Sequence, residues 1–339
     1  MIKRMQRAGE LLQRWRTPPA LILMYHRVAE PTADPWELAV SPQRFAEQMA
    51  VLREWGQVLP LRELVRRFEA GTLPPRTVAV TFDDGYADNL HRALPVLEKY
   101  GVPATFFIAT GCLESACEFW WDELDRIFLE PGRLPDALGL TLGGNRHWWK
   151  LGRDAVLTEE AAARWRSWRA GDPPPTRRHR IYRAIWEQLV GRPPAEQREV
   201  LAQLRTWADT DRTARPSHRT LTPVEARRLA DSERVELGAH TVSHVSLDRL
   251  EAPQQHTEIT RSKCRLEALL GRPVTSFSYP YGNYTRATVQ ILRSVRFERA
   301  CTTAHDALRP PTDPLTLPRM HVPNVGHEAF LQRLQGALA

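Results

Sequence analysis

Short apolar runs separated by amphipathic segments constrain the fold of this chain more than any other feature. Residues 20–28, 77–82 and 104–110 are largely apolar and include β-branched or aromatic side chains, which is typical of buried strands. Similar runs follow at 234–239, 274–279 and 297–303. Apolar residues at helical spacing predict helices between them, for example at 87–100 and 253–270. Strands that alternate with helices predict an α/β fold with a mostly parallel sheet, either open or closed as a barrel.

The middle of the chain has a different composition. From about 123 to 220 it is rich in Arg, Pro, Trp and Glu, and its periodicity is helical. The pattern predicts helices at 158–169, 177–190 and 194–207. We therefore expect one domain over residues 20–330, interrupted by a helical insertion at about 123–220.

Residues 1–19 form a basic segment ahead of this domain. Its apolar residues fit one side of a short helix, which predicts either a surface helix packed on the domain or a helix resting on an anionic membrane. It lacks the apolar stretch of a secretory signal, and no run in the sequence is long enough to predict a membrane span. We expect a cytoplasmic protein, located at the inner membrane surface if the basic segment makes that contact.

Charge and cysteine content narrow the classes of partner. The formal net charge is +7, and such a balance favours acidic partners in general. The arginines are scattered and no nucleic-acid-binding module surrounds them, so we expect no nucleic-acid partner. The four cysteines contain no C-x-x-C pair, which fits reduced thiols better than a disulfide framework.

The first chemical signal is T-F-D-D-G-Y at 81–86, directly after a predicted strand. Folds with parallel strands place their active sites at the carboxyl ends of those strands. Of two adjacent carboxylates, Asp83 and Asp84, one can bind a metal while the other acts as a base. A helix cap accounts for only one carboxylate, and the pair alone also fits a magnesium site.

The second signal is H-T-V-S-H at 240–244, which follows the predicted strand 234–239. Two imidazoles four residues apart converge on one metal if the segment is a helical turn. Imidazole favours Zn, Fe, Co or Ni over Mg. One aspartate together with His240 and His244 leaves coordination positions open for water, as in catalytic metal sites.

The third signal is F-S-Y-P-Y-G at 277–282, again at the end of a predicted strand. Pro280 and Gly282 predict a turn that points backbone N–H groups into a cleft. A simple strand-terminating turn explains this segment equally well when it is considered alone. The combination of three such segments at one end of one sheet is the more informative observation.

These motifs together resemble the polysaccharide deacetylases with a NodB-homology domain, carbohydrate esterase family four. T-F-D-D-G-Y is similar to the first family motif, H-T-V-S-H to the second and F-S-Y-P-Y-G to a variant of the third. Three further segments agree with the family pattern: Y-H-R-V, G-V-P-A-T-F-F and L-P-R. The segment F-W-W-D resembles one branch of the family. The resemblance covers roughly 20–110 and 220–325. It implies a distorted (β/α) barrel with fewer than eight regular strands.

The resemblance also implies roles for individual residues. Asp84, His240 and His244 would bind a divalent metal, usually zinc, with cobalt, nickel or iron as alternatives. Asp83 would act as general base on the attacking water, and the backbone N–H of Tyr281 would stabilise the oxyanion.

The sequence departs from the family at two places. The third family motif commonly carries an arginine that orients the base, and Ser278 or Tyr279 holds that position here. We expect Arg319 to supply the missing charge. The late Leu-x-His motif of the general acid is also not evident, so His321 and His26 are both candidates, with His321 slightly favoured.

The main functional hypothesis is a metal-dependent hydrolase that removes N-acetyl groups from a sugar or glycan precursor. The lack of a signal segment favours a lipid- or nucleotide-linked precursor as substrate. Two alternatives stay open: an inactive relative that binds carbohydrate, and a deacylase of a non-sugar amide or an O-acetyl ester. The sequence does not indicate the oligomeric state.

Overall fold

The computed structural model describes residues 17–115 and 117–338, and they divide into two compact units. The barrel unit contains the described residues up to Ala29 together with 39–114 and 221–338. The insertion unit contains Glu30–Leu38 and the described part of Ser115–Thr220. The predicted basic helix of the N-terminal segment lies outside the described residues.

The strands of both units are numbered in chain order. They are β1 (Leu21–Tyr25), β2 (Arg27–Val28), β3 (Ala39–Val40), β4 (Gln57–Val58), β5 (Thr77–Phe82), β6 (Ala104–Ile108), β7 (Gly132–Arg133), β8 (Ala137–Leu142), β9 (Asn145–Lys150), β10 (Val156–Leu157), β11 (Val235–Ala239), β12 (Ser276–Ser278), β13 (Arg299–Cys301) and β14 (Met320–His321).

The α-helices are numbered in the same way. They are α1 (Pro42–Trp55), α2 (Leu61–Ala70), α3 (Leu94–Tyr100), α4 (Trp120–Leu129), α5 (Glu159–Trp165), α6 (Arg177–Leu189), α7 (Pro194–Ala208), α8 (Pro223–Ala230), α9 (Ala252–Leu270), α10 (Arg286–Ser294) and α11 (His327–Leu338). A π-helical turn at Asn89–Ala93 precedes α3. None of the described helices is long and apolar enough to cross a membrane.

The barrel unit is built on one parallel sheet with the strand order β13-β12-β11-β6-β5-β1-β14, and β4 pairs with the first residues of β5. The segment just before β14 closes this sheet. Leu317 N–H donates to Ala300 O at 2.8 Å, and Thr302 N–H donates to Leu317 O at 2.9 Å. β14 itself pairs with β1. The two edges of the sheet are therefore joined, and the predicted distorted (β/α) barrel is confirmed.

Side chains of the central strands alternate between two apolar clusters. Val78, Val80 and Phe82 of β5 belong to a large cluster shared with the surrounding helices. Ala79 belongs to a smaller cluster that also contains Phe107 and Cys301. Because strand side chains alternate between faces, Thr81 and Asp83 lie on the same side as Ala79. Asp83, the first aspartate of the T-F-D-D-G-Y motif, therefore lies on the side of β5 that faces the smaller cluster.

Two helices begin with capping signals that the sequence itself contains. The Ser41 hydroxyl accepts a hydrogen bond from Arg44 N–H at the start of α1, with Pro42 as the first helical residue. Thr222 and Glu225 form a reciprocal capping box at the start of α8. These local signals act within one turn, which explains why they are readable from sequence.

The insertion unit is only partly helical, so the prediction of a helical insertion was incomplete. α4 to α7 are present, but β7 pairs with β10 and β8 pairs with β9, both antiparallel. In β8, Leu138, Leu140 and Leu142 are buried while the residues between them are exposed. This alternation with a period of two is a strand signal, and Gly143 and Gly144 with positive φ form the turn.

Candidate active site

The three motifs meet at the carboxyl ends of neighbouring strands of the barrel. Asp83 and Asp84 directly follow β5, and His240 directly follows β11. Ser278 ends β12, which pairs with β11. Parallel strands bring such ends to one edge of the sheet, so residues distant in sequence lie together.

Asp84, His240 and His244 form a compact buried cluster. One ligand atom from each residue can be chosen so that all lie within 4.8 Å of one another. Asp84 Oδ1 is 3.5 Å from His240 Nε2 and 3.1 Å from His244 Nε2. This donor set of one carboxylate and two imidazoles suits zinc and related divalent metals.

Hydrogen bonding around His240 leaves one ring nitrogen facing the cluster. His240 Nδ1 lies 2.8 Å from Ser278 O, so this nitrogen carries a proton and donates it to the carbonyl. Asp84 Oδ1 and His240 Nε2 are buried, and neither makes a hydrogen bond to another described group. Metal-binding histidines commonly donate their second N–H to a carbonyl in this way. The residues present therefore fit a divalent metal.

The backbone of the metal-binding segments is strained, and the second motif is not the helical turn that the spacing suggested. Asp84 has φ 75°, Thr241 has φ 63° and His244 has φ 52°. The left-handed region costs a non-glycine residue roughly 1–2 kcal/mol. The imidazoles converge because positive φ angles fold residues 240–244 into an irregular loop, so the helical turn that would also bring them together is not needed.

Glu258 stabilises this strained loop. Its Oε2 accepts hydrogen bonds from the backbone N–H groups of Val242 and Ser243, both at 2.9 Å, and its Oε1 accepts one from Ser243 Oγ at 3.0 Å. The loop is also tied to the end of β6, since Gly111 N–H donates to Val242 O at 2.7 Å. Sequence reasoning missed Glu258, because a single glutamate on an amphipathic helix reads as a solvated side chain.

Arg319 binds Asp83 through a bidentate ion pair inside the barrel. Its Nη1 donates to Asp83 Oδ1 at 2.7 Å and its Nη2 donates to Asp83 Oδ2 at 2.6 Å. Arg319 Nε also donates to Thr302 O at 2.8 Å, which fixes the guanidinium plane. Asp83 is 3% exposed and Arg319 is fully buried. The structure thus places Arg319 where the sequence analysis expected a substitute for the motif arginine.

Ser278 completes this arrangement. Its Oγ accepts a hydrogen bond from Arg319 Nη2 at 2.9 Å and lies 3.2 Å from Asp83 Oδ2, to which it donates. Serine therefore stands at the end of β12 and contacts both partners of the ion pair. No local sequence pattern predicts that this small residue contacts both charges.

The charges in the site shift the acidities of both aspartates in the same direction. Burial by itself would raise the pKa of Asp83, but Arg319 and His240 outweigh it and the pKa lies below its usual value. Burial also opposes ionisation of Asp84, yet His244 and His240 hold its pKa well below the usual range. Both carboxylates are therefore ionised at neutral pH, as a metal ligand and a base require.

Both candidates for the general acid lie at this end of the barrel. His26 directly follows β1, His321 ends the neighbouring β14, and their ring centroids are 6.4 Å apart. Burial lowers the pKa of His26 to about 4, although the negative charges of Asp84 and Asp83 act to raise it. His26 also contributes to the lowered pKa values of both aspartates. Both histidines therefore stay candidates for the general acid.

Tyr281 lies beside the metal-binding cluster. Its ring centroid is 4.8 Å from that of His244, and its φ of 58° turns the backbone sharply. The next residue must be glycine, because a Cβ at Gly282 would lie 2.0 Å from Thr303 Oγ1. The predicted turn at the third motif is present, and the oxyanion role of Tyr281 stays a prediction.

Comparison with known families agrees with this geometry. The model of the family described as polysaccharide deacetylase matches residues 70–132 and 199–300. These ranges include all three motifs. The chain is therefore similar to the polysaccharide deacetylase family over the segments that carry its motifs. The matched segments lie mostly in the barrel unit.

Two curated relatives illustrate this similarity. YxkH of Bacillus subtilis, named as a polysaccharide deacetylase, is 22% identical over 312 residues, covering 91% of this chain and 74% of the relative. A poly-beta-1,6-N-acetyl-D-glucosamine N-deacetylase of Staphylococcus epidermidis is 35% identical over 109 residues. That match covers 28% of this chain and only 38% of the relative's length.

Solved structures support the fold of this chain. The Streptococcus pyogenes deacetylase PplD, in complex with acetate, matches with a TM-score of 0.55 and 20% identity, covering 95% of this chain and 100% of that one. IcaB from Ammonifex degensii also matches with a TM-score of 0.55 and 20% identity, covering 95% and 98%. At this level of identity the likeness concerns the fold alone.

Replacing the loop-stabilising carboxylate should weaken metal binding more than it weakens the fold. Glu258→Gln removes the charge that receives three hydrogen bonds, so the loop no longer holds His244 firmly. We expect the metal dissociation constant to rise about 10–100-fold, measured by competition with a chromophoric chelator. Glu267→Gln on the same helix is the control. Equal metal affinity in the two variants would refute the positioning role.

Replacing Arg319 should separate orientation of Asp83 from stability. Arg319→Met leaves a buried, unpaired carboxylate and should lower the free energy of unfolding by about 3–5 kcal/mol. Adding Asp83→Asn removes that charge, so we expect stability to recover while turnover of N-acetylated oligomers stays abolished. Urea unfolding and amine release measure the two effects.

The conservative variant Arg319→Lys keeps the charge and loses the bidentate geometry. Loss of one charge-assisted hydrogen bond, worth about 1.5–3 kcal/mol, should reduce kcat roughly 10–100-fold in a folded protein. Arg299→Lys, at the amino end of β13, is the matched control and should keep its kcat. Unchanged kcat in Arg319→Lys would contradict the orienting role.

Proposed function

We propose that this protein is a metal-dependent hydrolase that removes N-acetyl groups from amino sugars of a glycan or glycan precursor. The observation that carries the proposal is the buried cluster of Asp84, His240 and His244 beside an Asp83 carboxylate held by Arg319. Similarity to the polysaccharide deacetylase family and the N-deacetylase named among the relatives support the same substrate class.

We propose zinc as the metal, with cobalt, nickel and iron as substitutes that the same ligands accept. Asp84 Oδ1, His240 Nε2 and one ring nitrogen of His244 would hold it. The metal would supply polarisation of the acetamide carbonyl and a lowered pKa for water. The remaining steps fall to side chains of this chain.

Asp83 acts as the base in this proposal. The carboxylate is ionised and oriented by Arg319 and Ser278, so it can accept a proton from the attacking water. The fixed orientation reduces the reorganisation needed during attack. The backbone N–H of Tyr281 is proposed to donate a hydrogen bond to the acetamide oxygen as negative charge develops there.

We assign proton donation to the departing nitrogen to His26. Burial keeps its pKa at about 4, so the ring is neutral before reaction. The proton that Asp83 accepts from the attacking water can move to the ring, whose protonated form is favoured by the nearby negative charge, and from the ring to the departing nitrogen. The coupling of His26 with both aspartates motivates this choice, and His321 stays the alternative candidate.

The Asp83–Arg319 contact supports the hypothesis of an active enzyme over the hypothesis of an inactive relative that only binds carbohydrate. The missing motif arginine is the main sequence argument for an inactive relative. Arg319 supplies a bidentate guanidinium to the same carboxylate from a different part of the chain. The charge that orients the base is therefore present.

The deciding experiment measures metal content and amine release together. Purified protein is assayed on N-acetylglucosamine oligomers with zinc, cobalt or nickel, beside the variant His240→Ala, His244→Ala. We expect near one equivalent of metal and free amine from the wild type only. Metal binding without amine from these oligomers would argue for another acyl substrate or an inactive relative. No metal in either protein would refute the proposal.

Glutamine replacements distinguish the two candidate general acids. We expect His26→Gln to lower kcat by about 10²–10⁴ with little change in KM, because a proton donor acts mainly in the transition state. His321→Gln serves as the matched variant and should retain most of its kcat. The opposite order would assign the role to His321. Metal content is measured in both variants, so that loss of metal is not mistaken for loss of the proton donor.

A further inference from the structure

The antiparallel ribbon of β8 and β9 in the insertion unit has two chemically different faces. On the inner face, Leu138, Leu140 and Leu142 are at most 1% exposed. The outer face contains residues that are all exposed: Ala137, Gly139, Thr141, Arg146, Trp148 and Lys150. Only the inner face is needed to fold the unit, so the composition of the outer face calls for another explanation.

Trp148 is the central residue of this outer face. It is 62% exposed, the largest value among the exposed tryptophans of the described chain. Its six-membered ring lies over Gly139, where an added Cβ would come within 2.9–3.2 Å of the ring atoms. The cross-strand glycine therefore lets the indole lie down on the ribbon while most of its surface stays in contact with solvent.

Two cations flank the indole. The Arg146 guanidinium lies 4.7 Å from the ring centroid, and Lys150 is on the other side with its side chain 76% exposed. The neighbouring Arg133 and Arg153 are exposed as well. Residues 132–154 contain four lysines and arginines against two aspartates. This stretch is therefore cationic, and its outer face combines positive charge with one large aromatic side chain.

The two aspartates of this stretch only partly compensate the cations. Asp136 lies 3.8 Å from Lys150 Nζ, and both side chains are more than half exposed. Asp154 accepts a hydrogen bond from Arg177 N–H at 2.8 Å, at the start of α6. Arg146 has a cation–π contact with Trp148 and no carboxylate partner among the described residues. Arg146 is therefore available to an external anion.

We propose that the outer face of the β8–β9 ribbon is an interaction surface for an anionic lipid bilayer. Tryptophan prefers the level of the headgroups, where its amphipathic ring satisfies both environments. Arginine and lysine beside it are attracted to anionic headgroups, and the two contributions reinforce each other. The inference is independent of the proposed hydrolytic function.

A glycan is the less suitable occupant of this surface. A sugar ring would stack on an open face of the indole, but one face lies over Gly139 and the Arg146 guanidinium lies 4.7 Å from the ring centroid, where it competes with a stacked sugar. A neutral N-acetylated sugar would also leave the flanking cations without a partner. A bilayer surface provides many phosphates, so it can accommodate both Arg146 and Lys150 while the indole enters the headgroup layer.

The test is sedimentation of the full-length protein with vesicles. Vesicles of phosphatidylcholine and phosphatidylglycerol in equal parts are compared with vesicles of phosphatidylcholine alone. The variants are Trp148→Ser and the double variant Arg146→Ser, Lys150→Ser. The control, Arg62→Ser with Arg228→Ser, removes the same number of exposed cations from the barrel unit. Amine release from soluble oligomers is measured in parallel for every protein.

We expect the wild type and the control to bind the anionic vesicles and to dissociate as salt is raised. Each ribbon variant should bind about tenfold more weakly or less still, with unchanged amine release from soluble oligomers. Ribbon variants that bind like the wild type would overturn the proposal, as would a wild type without preference for anionic vesicles. Loss of affinity for N-acetylglucosamine oligomers in Trp148→Ser, with vesicle binding intact, would identify a glycan surface instead.

Discussion

The buried ion pair between Asp83 and Arg319 connects the closure of the barrel to its chemistry. Asp83 follows β5, while Arg319 immediately precedes β14, which joins the sheet to β1. A single fully buried charge would be strongly unfavourable, so each residue requires the other in place. The contact that orients the proposed base therefore lies beside the junction where the sheet closes.

Backbone strain in the loops that hold the candidate metal ligands is a second feature of the site. Asp84, Thr241 and His244 all have left-handed backbone conformations, which non-glycine residues seldom adopt. Such conformations persist when surrounding contacts over-determine them. Here the contacts are the Glu258 carboxylate on the 240–244 loop and the Ser278 carbonyl on His240. The ligand positions are thus set before a metal binds, which favours a defined coordination geometry.

The insertion unit contributes a different kind of chemistry. Its apolar side chains are used to cover one face of the β8–β9 ribbon, and the other face has the composition of a headgroup-binding surface. The sequence analysis considered a membrane contact only through the basic N-terminal segment. The ribbon offers such a contact within the described residues, and it arises from a cross-strand glycine that lets Trp148 lie flat beside two cations.

The sequence by itself determined the α/β class, the strand ends that hold the motifs, the caps at Ser41 and Thr222, and the identity of the candidate metal-binding residues. These features depend on local patterns: apolar periodicity, capping side chains and motif spacing within a few residues. Only the tertiary structure decided which side chains meet at the site, because Arg319 and Ser278 lie more than a hundred positions from Asp83 in the sequence. It brought Arg319 and Ser278 to Asp83, coupled His26 to both aspartates, and placed Glu258 under the 240–244 loop. It also decided the loop conformation at His244, since a left-handed backbone at a non-glycine residue is imposed by surrounding contacts and has no signature in the residue's own type.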